Sequence, residues 1–287
     1  MQFYLTAIIL GLCLAAMTIG IFISMKVFKI PDITTDGSYT LGAAVTALLL
    51  PAGLTPATAL LVVIACGAFA GAITGLIHTL FKIDALLAGI LTMTALYSVN
   101  LSIMGRSNIP LLDTDNVFNT FTKYETTEQQ LLVSFLAIAL LACLVVYLLK
   151  SDFGIAMRAT GNNPVMAKSV SVNVSTMKIT GLAIANALTA VSGFLVAQYQ
   201  HFTDINMGIG IVIIGLGSVL IAEALNTWLG IRKISLQVAM VVAGSIIFQV
   251  VLAITLSLGV DPNLLKLVTA LFVLAVVALP SIKLRNL

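Results

Sequence analysis

The chain has 287 residues, of which 60% are hydrophobic and 9% charged, with a formal net charge of +3. A soluble domain carries about 25% charged residues. A deficit spread over the whole length excludes an ordinary soluble protein and indicates a polytopic bundle of transmembrane helices. No polar stretch is long enough for a separate soluble domain, so residues 1–287 read as one transmembrane unit. Cys13, Cys66 and Cys143 all lie inside apolar runs and read as small buried residues, not as disulfide or metal chemistry. His78 and His201 are far apart and form no ligand motif, so no metal site is expected.

Nine apolar segments of roughly span length follow in order, at about 3–25, 38–51, 57–80, 84–104, 130–149, 177–199, 208–226, 234–258 and 264–282. The first has no basic region before it and no small-residue cleavage site, so it reads as a retained span. The second is short and follows the polar stretch Pro31-Asp32-Ile33-Thr34-Thr35-Asp36-Gly37. It reads as a broken or re-entrant helix, which needs protein to cover its open backbone groups. The third carries Gly67, Gly71 and Gly75 on one helix face, favouring close packing within the chain. Gly208, Gly210, Gly215 and Gly217 point to tight packing in the seventh.

Polar side chains inside spans are costly and tend to face a bundle interior or a pathway. Thr92, Thr94, Tyr97, Ser98 and Asn100 cluster on the fourth segment. Asn186, Thr189, Ser192 and Gln198 share the sixth, Glu223 lies on the seventh and Gln249 on the eighth. Threonine and serine often bond back to their own helix; Asn100, Asn186, Gln198 and Glu223 are harder to account for. Glu223 has two readings: a structural pairing with a backbone amide or Arg232, or a part in gating. The candidate translocation path is Asp36, Tyr39, Thr92, Tyr97, Asn100, Asn186, Gln198 and Glu223. Two stretches, Asp36–Ala44 and Asp204–Gly210, are faintly alike, each an acidic residue followed by spaced glycines. As helix starts they would aim positive dipole ends at a ligand carboxylate.

Between the fifth and sixth segments, residues 151–176 form a polar island holding Asp152, Arg158 and Lys168. Asn163 followed by Pro164 is a helix-start signal. Val165, Met166 and Val170 then give a short amphipathic turn, either an ordinary connection or an apolar plug for a partner's groove. With this loop in the cytoplasm and nine alternating spans, the inner side holds Lys26, Lys29, Lys82, Lys150, Arg158, Lys168, Lys178, Arg232, Lys233, Lys283 and Arg285. The outer side holds Arg106, Lys123 and Lys266, with Asp113, Asp115, Glu125 and Glu128 in the loop at 105–129. That bias favours an outer N-terminus and an inner C-terminus. No G-x-x-x-x-G-K-[ST] occurs, so the chain lacks a phosphate cradle for ATP. No H-E-x-x-H and no paired intramembrane acids occur either, and an enzyme is not expected.

The run Arg158-Ala159-Thr160-Gly161-Asn162-Asn163-Pro164, with Ala167, Val172-Asn173, Met177-Lys178 and Gly181-Leu182-Ala183, resembles permeases of ATP-binding-cassette importers of the branched-chain amino acid and ribose type. Pro31–Ser38, Leu87–Asn100, Ala197–Gln200 and Asn206–Gly210 are similar to the subgroup named for tryptophan and tyrosine transport. The resemblance implies a type II importer-like all-α fold in a bacterial cytoplasmic membrane. It also implies a homodimer around a central path, two cytoplasmic ATPase subunits carrying ATP and Mg, and an extracytoplasmic substrate-binding protein. No cofactor in this chain and no nucleic-acid partner are expected. The family's coupling helix falls on about Gly161–Ser171, with Gly161, Asn162, Asn163, Pro164, Val165, Met166, Ala167 and Lys168 as the contact set. Where family members carry Leu-Gly this chain has Val170-Ser171, which puts the helix ending in question. Aromatic amino acids are the implied cargo; related permeases carry sugars, nucleosides and branched-chain amino acids. A secondary transporter or channel without an ATPase is the rival, as is a scaffold subunit that moves nothing.

Overall fold

The computed structural model describes residues 2–112, 114–119, 126–261 and 264–285. Asp113, Lys123 and Glu125 of the expected outer loop lie outside the described residues, as do the side chains of Lys283 and Arg285. Among the described residues, eleven α-helices occur in order: α1 (Gln2–Phe22), α2 (Thr34–Leu49), α3 (Pro56–Leu80), α4 (Ala85–Met104), α5 (Thr127–Lys150), α6 (Asp152–Asn162), α7 (Pro164–Ser169), α8 (Val174–Gln200), α9 (Ile211–Trp228), α10 (Ile234–Ser257) and α11 (Leu265–Arg285). A π-helical turn, Ile23–Val27, extends α1. Two short strands, β1 (Asn108–Pro110) and β2 (Phe202–Asp204), pair antiparallel with Ile109 opposite Thr203.

Among the described residues, seven helices are long and apolar enough to cross a membrane. The protein is an all-α polytopic membrane protein. The two remaining expected segments are α2, at 16 residues, and α11, whose described apolar stretch is Leu265–Val276.

Of these seven, α1 and α8 are the most buried and form the centre together with the covered α2; the outer faces of α3, α4 and α5 carry exposed leucine, phenylalanine and tyrosine. Lipid tails offer helices no hydrophobic drive to associate, so small residues and close backbone contact do the packing. A Cβ on Gly71 would lie 2.2 Å from the Leu182 carbonyl oxygen, and one on Gly67 2.7 Å from that of Asn186. The Gly67–Gly71–Gly75 face is therefore the α3–α8 seam, an internal contact. Gly42 of α2 abuts the Ala190 carbonyl in the same way, and Gly193 of α8 abuts that of Tyr39.

Three boundaries differ from expectation. The second helix begins at Thr34, because the Asp32 carboxylate accepts the Thr34 amide at 2.9 Å and starts the turn before Gly37. Its residues from Thr34 to Ala47 are all buried, so the short helix is covered by protein as its exposed backbone start requires. The seventh apolar segment becomes helical only at Ile211, leaving Gly208 and Gly210 before it; Gly210 has φ +84° at the N-cap. The polar island holds a second helix, the 11-residue α6, where the sequence pattern marks only the turn after Asn163. Ser151 caps it by accepting the Gly154 amide at 3.3 Å, with Asp152 in the first turn.

The C-terminal ends of α1 and α9, the N-terminal end of α10 and α6 converge around one cavity. At the foot of α8, Lys178 donates to His78 Nε2 near the end of α3 at 3.0 Å. The β1–β2 ribbon gathers the far ends of α4 and α8, where the Leu111 amide donates to the His201 carbonyl at 2.8 Å.

Candidate functional site

The island presents a rigid apolar knob. Asn163 Oδ1 accepts the Val165 and Met166 amides at 3.1 and 3.0 Å, and Pro164 occupies the first helical position. Those two bonds satisfy donors that a six-residue helix would otherwise leave open. Ala167 turns inward, while Val165, Met166 and Val170 remain 79%, 66% and 65% exposed. Lys168 is exposed beside them. At the other end the Val172 amide donates to the Ala167 carbonyl and the Ser171 amide to that of Lys168, both at 3.0 Å. This is a Schellman ending, and Ser171 sits in its left-handed position at φ +65°. The helix thus stops where a glycine would stop it, with serine bearing the left-handed strain.

The expected contact set divides. Asn163, Pro164, Val165, Met166, Ala167 and Lys168 belong to α7 or its cap; Gly161 and Asn162 close α6 instead. A Cβ on Gly161 would lie 1.8 Å from the Val27 carbonyl oxygen. Gly161 therefore seats α6 directly on the π-helical turn of α1, and this contact joins the knob to the central helix.

A polar knot occupies the bundle interior. Asn186 Nδ2 donates to Asp32 Oδ2 at 2.7 Å, and Ser38 donates to Asn186 Oδ1 at 2.7 Å. The Thr34 and Thr74 hydroxyls meet at 2.8 Å. These bonds tie the chain before α2 to α2, α3 and α8. Asp32 is a residue that sequence reasoning passed over; its sole signal is an acid within the polar stretch before a short helix.

The second acid of that stretch has a different task. Asp36 Oδ2 accepts the Gly210 amide and Oδ1 the Val212 amide, both at 2.9 Å. The starts of α2 and α9 are thus met by the chain's own carboxylates, Asp32 and Asp36. This corrects the expectation that these positive ends aim at a ligand carboxylate: open amides at a helix start need an acceptor, and the chain supplies one.

Of the candidate path residues, the fold brings three together. Asp36, Tyr97 and Asn100 line a shallow cleft with Gly208 and Ile209. Asn100 Nδ2 donates to the Gly37 carbonyl at 3.1 Å, while its buried Oδ1 has no partner among the described residues. Tyr97 is 45% exposed on the open side of α4. The others stand apart. Thr92 donates to Ala88 of its own helix at 3.0 Å, and Asn186 belongs to the knot. Gln198 Oε1 accepts the Val117 amide at 2.9 Å. Tyr39 borders a different cavity, with Gln200, Asp204 and Gln249. Glu223 pairs with Lys26, not with Arg232 or a backbone amide, because the π-helical turn brings Lys26 to the end of α9.

Residues 3–277 match the family described as branched-chain amino acid transport system, permease component. The chain is 40% identical to a tyrosine transport system permease protein of Clostridioides difficile, over 93% of this chain and 88% of that protein. It is 33% identical over the full length of both to an uncharacterized protein of Rickettsia prowazekii. It is also 28% identical to the galactose/methyl galactoside import permease protein of Escherichia coli, over 79% of this chain and 67% of that one. No solved structure matches the chain significantly. Permeases of this kind work with ATPase and substrate-binding components. A bundle of apolar helices with this match along nearly its whole length belongs to the family of branched-chain amino acid transport system permeases, and is the permease subunit of an importer in the bacterial inner membrane.

Proposed function

We propose that this subunit passes an aromatic amino acid inward by alternating access, driven by ATPase subunits that dock on α7. The observation that carries the mechanism is the doubly capped knob with Val165, Met166 and Val170 in the open. Exposed apolar residues on a rigid helix fit a partner's groove. The chain contains no phosphate cradle, so ATP and Mg belong to the partner. A ligand shifts a two-state equilibrium only by its differential affinity, so uphill cycling needs that external drive.

Residues 151–176 then face the cytoplasm, with the N-terminus outside and the C-terminus inside; the concentration of lysine and arginine at that end supports this. The buried α2 serves as a broken crossing, bringing the segments to nine in a single type II importer-like domain. Motion of α7 passes through α6 and the Gly161–Val27 contact to the turn of α1, and from there to the knot around Asp32. The path itself runs between two copies of the chain, past the cleft of Asp36, Tyr97 and Asn100. The tyrosine-transport relative favours an aromatic amino acid over the sugar of the more distant relative.

Reconstitution with the ATPase and the binding protein tests this. Met166→Asp is expected to abolish ATP-driven tyrosine uptake while the ATPase subunits alone still hydrolyse ATP. Full uptake by that variant with the ATPase bound would remove α7 from the coupling. Uptake by the wild-type chain without any ATPase would instead establish the secondary-transporter reading.

A further inference from the structure

Beneath α6 lies a cavity of about 320 Å³ shared by α1, α6, α9 and α10, of the size that small ligands occupy. It is distinct from the path cleft and from the α7 knob. Lys26 and Glu223 at its edge neutralise one another. Arg158 does not have such a partner: its Nε donates weakly to Gly154 of its own helix at 3.4 Å, and no carboxylate pairs with its guanidinium among the described residues. Asn226, also on the lining, holds a buried Oδ1 that accepts no hydrogen bond among the described residues. Phe22, Val219 and Val241 supply apolar wall.

An uncompensated cation and an unfilled acceptor within one small cavity define what would fill it. A carboxylate answers Arg158, and an adjacent N–H donor answers Asn226 with Glu223 nearby. A neutral sugar leaves the guanidinium without its counter-charge; phosphate offers Asn226 a second acceptor. We infer that this cavity is a binding site for a zwitterionic α-amino acid on the face that carries the docking helix. Such a ligand would bridge α6 to α9 and hold α7 in place. Taken with the importer function proposed above, an amino acid already delivered to the cytoplasm would restrain further cycling. By reciprocity, whatever moves α7 would weaken the ligand's grip.

Equilibrium dialysis of radiolabelled L-tyrosine against the full chain in nanodiscs tests the site without needing transport. Arg158→Gln and Asn226→Leu are each expected to weaken binding about tenfold or more, the usual effect of removing one charge-assisted or buried hydrogen bond. Thermal unfolding checks that each variant folds, and either one suffices. The site is overturned if the wild type binds no tyrosine, if folded variants bind as the wild type does, or if D-galactose or inorganic phosphate competes equally well. ATP-driven uptake, measured separately with all components, judges the importer function. Binding without uptake would retain the site and discard that function; uptake without binding would do the reverse.

Discussion

The α7 knob and the interior knot are opposite violations of the same rule. One leaves Val165, Met166 and Val170 in the open, and the other buries Asp32, Ser38 and Asn186. The difference lies in satisfaction. Every polar group cited in the knot has a partner inside the chain at ordinary hydrogen-bond distance, so burial there makes structure. The knob has its backbone ends satisfied and its side chains unmatched, which supports the docking role proposed for it. An anomaly that the fold resolves is architecture; one that the fold braces but leaves open is where a partner is to be sought.

The comparison breaks most sharply at Asn186. Asn186→Leu strips both the Asp32 carboxylate and Ser38 of a buried partner. It is expected to cost about 3 kcal/mol, seen as a large fall in Tm in detergent. A stable variant would mean that the knot does not hold the bundle. Met166→Asp inverts that pattern. Its bundle Tm should stay within about 0.5 kcal/mol of wild type, while affinity for the ATPase subunits falls by about 2 kcal/mol in a pull-down titration, as for an interface hot spot.

Two smaller effects sharpen the boundary between the regions. Ser171→Gly relieves a left-handed serine and should stabilise the end of α7 by about 0.5–1 kcal/mol. Amide exchange at Val172 reads this as slowing of a few-fold. Unchanged exchange would mean that the Schellman ending carries no strain. Glu223→Gln removes a half-exposed ion pair with Lys26, for which stability should change by about 0.5 kcal/mol or less in thermal unfolding. A loss comparable to that at Asn186 would place Glu223 with the knot instead.

Local signals were legible without the fold. Asn163 and Pro164 announced α7, and the spacing of Gly67, Gly71 and Gly75 announced a helix seam, because capping and helical periodicity act between near neighbours in the chain. The helix α6 went unread: Ser151 and Asp152 are a start signal, but its short apolar pattern is diluted by glycine and charge. The Lys26–Glu223 pair was beyond reach, since nothing in either neighbourhood names the other.

What the sequence determined by itself was the membrane, the seven long apolar helices and the capped turn after Asn163, each a property of contiguous residues. Tertiary structure alone decided the use of the buried acids: Asp32 meets Asn186 across 154 positions, and Asp36 meets Gly210 across 174. A carboxylate in a polar stretch before a helix can serve a ligand or another helix start equally well. The choice rests on which backbone amides packing brings within 3 Å, and that depends on glycines letting α2, α8 and α9 approach.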